Sequence, residues 1–294
     1  MITSTLANTR AVPQEVPTTN HRDPKRFWAK ILLYLILSIL GLGMIFPFVW
    51  MATTAFKLPQ DIYSLSLIPN PATWKNFNVV LEDTSYLRWF LNSFIIALIT
   101  TASVAVFDSL AGYTLAKFDF PLKNIIFIVI LSTLMVPTEM LVLPWYVLAI
   151  RMHWTDSYWG VMFPGVMSAF GVFLMRQFFM GVPNDLIDAA RLDGFGEFRI
   201  FWKIAMPLVK PALAALCILT FLGNWNAYLW PLVVIRSEEM RTLPVGIAFF
   251  SSEAGTPIYL VMAAASLATL PVLLIFVLFQ RQIIKGVALS GLKA

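Results

Sequence analysis

The run ILLYLILSILGLGMIFPFVWMATT, residues 31–54, contains no Asp, Glu, Lys or Arg. A helix needs roughly 20 apolar residues to cross the hydrocarbon core of a bilayer, and a longer uncharged run reads as a membrane span rather than a buried core helix. The rest of the chain agrees. Of 294 residues, 59% are hydrophobic and only 13% charged, against about a quarter charged in a soluble domain. Too little polar surface remains to cover a globule in water. Five more apolar segments follow, at 91–116, 124–150, 157–175, 211–235 and 259–279. Asp108 lies in the second. Pro137, Glu139 and Pro144 interrupt the third, and Pro271 lies in the sixth. The expectation is an all-α, polytopic protein with six transmembrane helices.

With the N-terminus inside, fifteen of the 21 Lys and Arg residues fall on one side. They cluster in the N-terminal tail, after the second span, around the loop between the fourth and fifth spans, and at the C-terminus. The positive-inside rule then places both termini and that loop in the cytoplasm. Residues 1–26 hold Pro, Thr, Asn and charge without an apolar period, and read as a flexible cytoplasmic tail before a transmembrane domain at 27–294. The first span is longer than the roughly 7–15 residues of a leader's apolar region, and Glu15 and Asp23 precede it, which argues against a cleaved signal peptide.

Some chemistry is excluded. Cys217 is the sole cysteine, and neither His21 nor His153 has a ligand partner nearby in sequence, so no metal site is expected. There is no G-x4-G-K-[ST] phosphate loop, no H-E-x-x-H and no G-x-S-x-G, so no catalytic residue and no nucleotide site of this kind is expected in the chain. The net charge of +5 is explained by its sidedness and does not call for nucleic acid.

The cytoplasmic loop, about 181–209, contains Asn184-Asp185-Leu186-Ile187-Asp188-Ala189-Ala190-Arg191-Leu192-Asp193-Gly194 and then Ile204-Ala205-Met206-Pro207. Asn184 is a plausible helix cap with acids in the first turns. Leu186, Ala189 and Ala190 would share one small apolar face, Gly194 is a good stop, and a second short helix over Glu197 to Ala205 would be limited by Pro207. Composition alone divides evenly between a helix lying on the membrane interface and one that docks on a partner.

The full pattern, D-A-A-x3-G-x9-I-x-M-P, resembles the Glu-Ala-Ala loop of ABC-importer permeases, with Asp188 for the usual Glu and Met206 for the usual Leu. Further residues resemble the maltose-type carbohydrate permeases. These are Pro47, Trp50 and Lys57; Arg176-Gln177-Phe178-Phe179 before Pro183; Trp225-Asn226 with Pro231-Leu232; Thr242-Leu243-Pro244-Val245-Gly246; and Gln280-Arg281 with Gly286 and Gly291. The resemblance implies the smaller, six-span subunit of a type I ABC importer in a bacterial inner membrane. It implies a second permease subunit, two copies of an ABC ATPase, an extracytoplasmic solute-binding protein and a sugar substrate. ATP and Mg would be bound by the ATPase, with no cofactor in this chain. Asp188, Ala189, Ala190, Gly194 and Pro207 would form the loop that couples to the ATPase.

Candidates for the translocation path are Asn224, Trp225, Asn226 and Tyr228, with Trp230 close by, because amides and aromatic faces suit sugars. The alternative is packing between helices, which weighs about equally. The intramembrane acids Asp108 and Glu139 are candidates for the same path. For Asp108 the alternative is pairing with a neighbouring helix, and Glu139 either lines a cavity or sits at a broken helix near the outer face. In the competing functional reading both carry ions in a secondary transporter acting alone.

Overall fold

The computed structural model describes residues 24–64, 66–252 and 258–291. Of the tail expected at 1–26, residues 1–23 lie outside the described residues, and the first helix, α1 (Pro24–Ala55), starts at Pro24. Then come α2 (Lys75–Glu82), α3 (Tyr86–Lys117), α4 (Lys123–Thr133), α5 (Thr138–Arg151), α6 (Tyr158–Met162) and α7 (Ala169–Met180). The loop region between the fourth and fifth apolar segments holds α8 (Asn184–Leu192), α9 (Glu197–Ile200) and α10 (Met206–Leu208). Last come α11 (Lys210–Trp225), α12 (Leu229–Val234), α13 (Leu243–Ser252) and α14 (Ile258–Gly291). No strand occurs among the described residues. The chain divides into two units, Met1–Pro47 and Phe48–Ala294.

In the first unit, every side chain from Ile31 to Leu40 is exposed. A helix that is apolar all round and exposed all round is made for lipid, not water. In the second unit α3 is the central post. Its buried residues, among them Asn92, Ser93, Ile96, Thr100, Val104 and Asp108, recur every three to four positions and so form one face. That face packs chiefly on α7 and α11.

Among the described residues, three helices are long and apolar enough to cross a membrane singly: Lys30–Ala55, Tyr86–Lys117 and Ile258–Gln280. The other spans are not the continuous helices that the apolar runs suggest. The third is split into α4 and α5, which meet at 98°. The break falls at Pro137, which precedes α5, because the residue before a proline is pushed out of helical geometry. Eleven and fourteen residues make about 16 and 21 Å of helix, so neither piece covers a core of about 30 Å alone. The fourth bends by 45° between Tyr158–Gly165 and Ala169–Met180. The fifth is interrupted between Trp225 and Leu229. With each bent pair taken as one span, the count reaches six.

Pro207 does not end the loop's second helix as its sequence suggests. The residues Phe201–Ala205 form a π-helical turn that runs into α10, which contains Pro207. A π turn widens the ladder just where proline withdraws a donor. The chain turns at Val209 instead, by 85° between Glu197–Leu208 and Lys210–Trp225.

Candidate functional site

The loop helix α8 is held on its own protein by one face. Ile187 and Ala190, i and i+3, are 2% and 4% exposed. They join a core cluster with Tyr113 of α3, Phe179 of α7, and Ile200 and Phe201. Leu186 and Ala189 point outward. The Ala-Ala pair is therefore divided, with Ala190 as anchor and Ala189 as surface, rather than lying together on one face as the spacing with Leu186 suggests. The helix also begins differently from expectation. Pro183 occupies the cap position without a side-chain bond. Asn184 instead turns its amide oxygen to Lys117, whose Nζ donates to it at 2.7 Å and to the Val182 carbonyl. Lys117 ends α3, so the post of the fold is tied directly to the start of the loop.

The end of α8 is a Schellman turn. The Phe195 N–H donates to the Ala190 carbonyl and the Gly194 N–H to the Arg191 carbonyl, each at 3.0 Å. Gly194 sits at φ +79°, a left-handed geometry that costs side-chain-bearing residues roughly 1–2 kcal/mol. A Cβ at Gly194 would meet nothing within 4 Å, so backbone strain is the whole penalty. Gly194→Val is expected to destabilise the loop by about 1–2 kcal/mol, and Gly194→Asn by less, because Asn tolerates this region. Thermal unfolding of the detergent-solubilised assembly checks the ranking.

Charges brace the same turn. Arg191 donates from Nη1 to Asp188 at 2.9 Å and from Nε to Glu197 at 2.6 Å. The Glu197 hydrogen bond, first, and its charge raise the Arg191 pKa above its ordinary value, with Asp188 adding to the effect. Outside this brace Leu186, Leu192, Phe198 and Trp202 are exposed, Leu192 by 90%. Pro207 is exposed as well. A rigid helical turn thus presents Ala189 and scattered large apolar residues. Lys117, Glu197 and Phe195 escaped the sequence reading. The Gly194 stop was the available signal for Phe195, since a Schellman turn pairs the residue after glycine with the last helical turn.

The other candidates fall in separate places. Asp108 is fully buried. Both its carboxylate oxygens accept from the Ser168 N–H at 3.1 Å, and Oδ2 also accepts from the Ser168 hydroxyl at 2.7 Å. Ser168 is the cap of α7, its Oγ accepting from Gly171 N. Glu139 is exposed in the first turn of α5. Asn224 is half-buried, donates to the Thr220 carbonyl, and lines a cavity of about 290 Å³. Trp225 is 2% exposed, donates to the Ala268 carbonyl, and packs on Phe90 and Phe221. It lines a different cavity together with Asn226. Tyr228 is 44% exposed. The break after Trp225 cancels the helical i, i+4 relation expected between Asn224 and Tyr228.

Asp156, in the turn between α5 and α6, holds the segment that follows α12. Its Oδ1 accepts from Arg236 N, Ser237 N and Ser237 Oγ. Burial pushes its pKa up, but these bonds outweigh it and hold the carboxyl below its ordinary value. Asn92 of α3 donates to the carbonyls of Glu239 and Arg241, and its oxygen accepts from Tyr158. The segment after α12 is thereby fastened to α3 and α6.

Residues 108–289 match the family model described as the binding-protein-dependent transport system inner membrane component. The chain is 39% identical over 269 residues to the arabinooligosaccharides transport system permease protein AraQ of Bacillus subtilis (strain 168), covering 90% of this chain and 96% of that protein. It is 36% identical over 267 residues to the sn-glycerol-3-phosphate transport system permease protein UgpE of Yersinia pestis bv. Antiqua (strain Antiqua), covering 87% and 95%. Its fold is that of a chain in the crystal structure of a bacterial ABC transporter involved in the import of the acidic polysaccharide alginate. There the TM-score is 0.79 at 21% identity, over 88% of this chain and 97% of that one. A membrane transport subunit, without catalytic chemistry of its own, accounts for broken apolar spans around one post and a braced helix turned outward. The ion-coupled alternative gives way to it, and the chain belongs to the family of binding-protein-dependent transport system inner membrane components.

Proposed function

We propose that this chain is one of two permease subunits of a carbohydrate importer in a bacterial inner membrane. Both termini and α8 face the cytoplasm, an extracytoplasmic binding protein delivers the sugar, and two copies of an ATPase that hold ATP and Mg drive the cycle. The observation that carries this reading is α8. It is anchored by Ile187 and Ala190, stopped by a Schellman turn and braced through Arg191, while Ala189 and Leu186 remain outside. A lever must be stiff where it joins its own protein and complementary where it meets the partner. Asp188, Ala189, Gly194 and Pro207 serve that contact, and Ala190 fixes the lever from behind. Two global states with different contacts at this helix couple hydrolysis to the path. The sugar class is supported by AraQ, a relative named for arabinooligosaccharides.

The test is capture in intact cells. Cysteine placed by Ala189→Cys, with Cys217→Ser as background, is expected to crosslink to the ATPase, while Ala190→Cys is not. Failure of Ala189→Cys to capture an ATPase in an assembled, active importer overturns the reading.

A further inference from the structure

Three separate spans are broken in this chain, and the breaks meet at one cavity. Thr138 stands just after the 98° bend of the third span. Pro164 and Gly165 lie at the bend of the fourth. Asn224, Ala227, Trp230 and Pro231 flank the interruption of the fifth. All of them line the same cavity of about 290 Å³, with Trp145 and Thr242. Backbone that leaves helical geometry at membrane depth is tolerated where it is buried in protein or lines a polar cavity, and broken helices mark binding sites in transporters.

The lining is chemically specific. Thr242 is 3% exposed, and its hydroxyl has no hydrogen-bond partner. A buried hydroxyl without a partner is costly, and a small shift of the cavity wall would bring it to a ligand that carries its own hydroxyl. Asn224 uses its Nδ2 on the Thr220 carbonyl, which leaves its Oδ1 to accept. Gly165 keeps the wall open, because a side chain there would press on Thr100 at 3.1 Å and stand 3.7 Å from Asn224 Oδ1. Trp145 and Trp230 meet edge to face at 5.7 Å, and Trp230 is locked by bonds from Nε1 to the Gly160 and Val161 carbonyls. One locked indole, a second set edge-on to it, an amide oxygen and an unbonded hydroxyl suit the mixed C–H and O–H surface of a sugar. No charged side chain lines the cavity. The volume of about 290 Å³ is at the small end of ligand sites, which begin at about 300 Å³, and so suits one ring at a time.

We propose that this cavity is a transit subsite for a single neutral sugar ring, formed where the three broken spans converge. The proposal rests on the carbohydrate reading above. It assigns to this subunit its own contact with the solute, made by Asn224 and Thr242.

The experiment uses the whole importer in proteoliposomes, with arabinotriose presented by its binding protein and with uptake and ATP hydrolysis measured together. Wild type is measured first. If it imports no neutral sugar, the carbohydrate reading fails and this subsite falls with it. If it does, Thr242→Val and Asn224→Leu are expected to reduce sugar moved per ATP by roughly three- to tenfold, the scale of one lost hydrogen bond. Binding-protein-stimulated hydrolysis should persist. Because the Thr242 hydroxyl bonds to nothing in the protein, Thr242→Val should leave the melting temperature of the sugar-free complex unchanged or raise it. Unchanged sugar per ATP in both variants overturns the proposal. So does a fall of several degrees in melting temperature for Thr242→Val, which would show that the protein itself holds the hydroxyl.

Discussion

Ala190→Glu is expected to remove folded subunit from the membrane, whereas Ala189→Glu leaves it folded and uncouples it. The two residues are neighbours in sequence, but successive positions on a helix point about 100° apart. Ala190 is 4% exposed against Tyr113, Phe179, Ile200 and Phe201. A glutamate there must either bury an unpaired carboxylate or lift α8 off α3. Overpacking alone costs about 1–3 kcal/mol, and an uncompensated buried charge brings the total to 3 kcal/mol or more, on the order of the whole margin of a loop region. Ala189 is exposed, so its glutamate is solvated in the isolated subunit and costs little there. In an interface it adds bulk and a charge where a methyl group stood, and binding-protein-stimulated hydrolysis and uptake should fall tenfold or more, about 1.4 kcal/mol or greater. Subunit level by immunoblot, beside hydrolysis and uptake in the assembled complex, separates the two. Equal loss of protein in both variants would mean that both faces of α8 are internal and that nothing docks on it.

The division of the Ala-Ala pair shows where sequence stops being informative. Apolar runs revealed the six segments because bilayer thickness demands them, and α1 and α3 match their runs closely. The bends were harder to see. Pro137 and Pro144 occupy the same run, but only Pro137 breaks it. Pro144 lies inside α5. The pattern around Asp188 located the loop and its stop, since Gly194 does what a glycine at that place must do. Which of Ile187, Ala189 and Ala190 would face inward depends on Tyr113, more than seventy residues earlier. A nine-residue helix is too short for its own periodicity to decide. The Asn224–Tyr228 pairing failed for a related reason, because α11 ends at Trp225 in a stretch with no proline or glycine between Asn224 and Trp230 to announce it.

Asp108→Ala is expected to destabilise the subunit by about 2–4 kcal/mol, and Gly171→Ala to do nearly the same through the same contact. The Asp108 carboxylate is the acceptor for both donors of Ser168, and hydrogen bonds to a charged group are worth about 1.5–3 kcal/mol. Without it, the cap of α7 keeps its inward bond from Gly171 N but leaves its own N–H and O–H unsatisfied in a buried seam. Gly171 faces the carboxylate so closely that an added methyl group would overlap Asp108 Oδ2 and crowd Ser168 Oγ. Neither atom is a loose chain end, so the α3–α7 seam must open. The double variant separates this account from two independent lesions. Once Asp108 is cut to alanine, the space that the Gly171 methyl group needs is free. The combined loss should then fall short of the sum of the single losses by about 1 kcal/mol or more, as expected of residues in contact. Asp108→Asn retains the shape and one acceptor and should lie between wild type and alanine. Thermal unfolding of the solubilised complex gives the four values. Strict additivity, or a loss of transport by Asp108→Ala at unchanged stability, would remove Asp108 from the α7 cap and return it to the solute path.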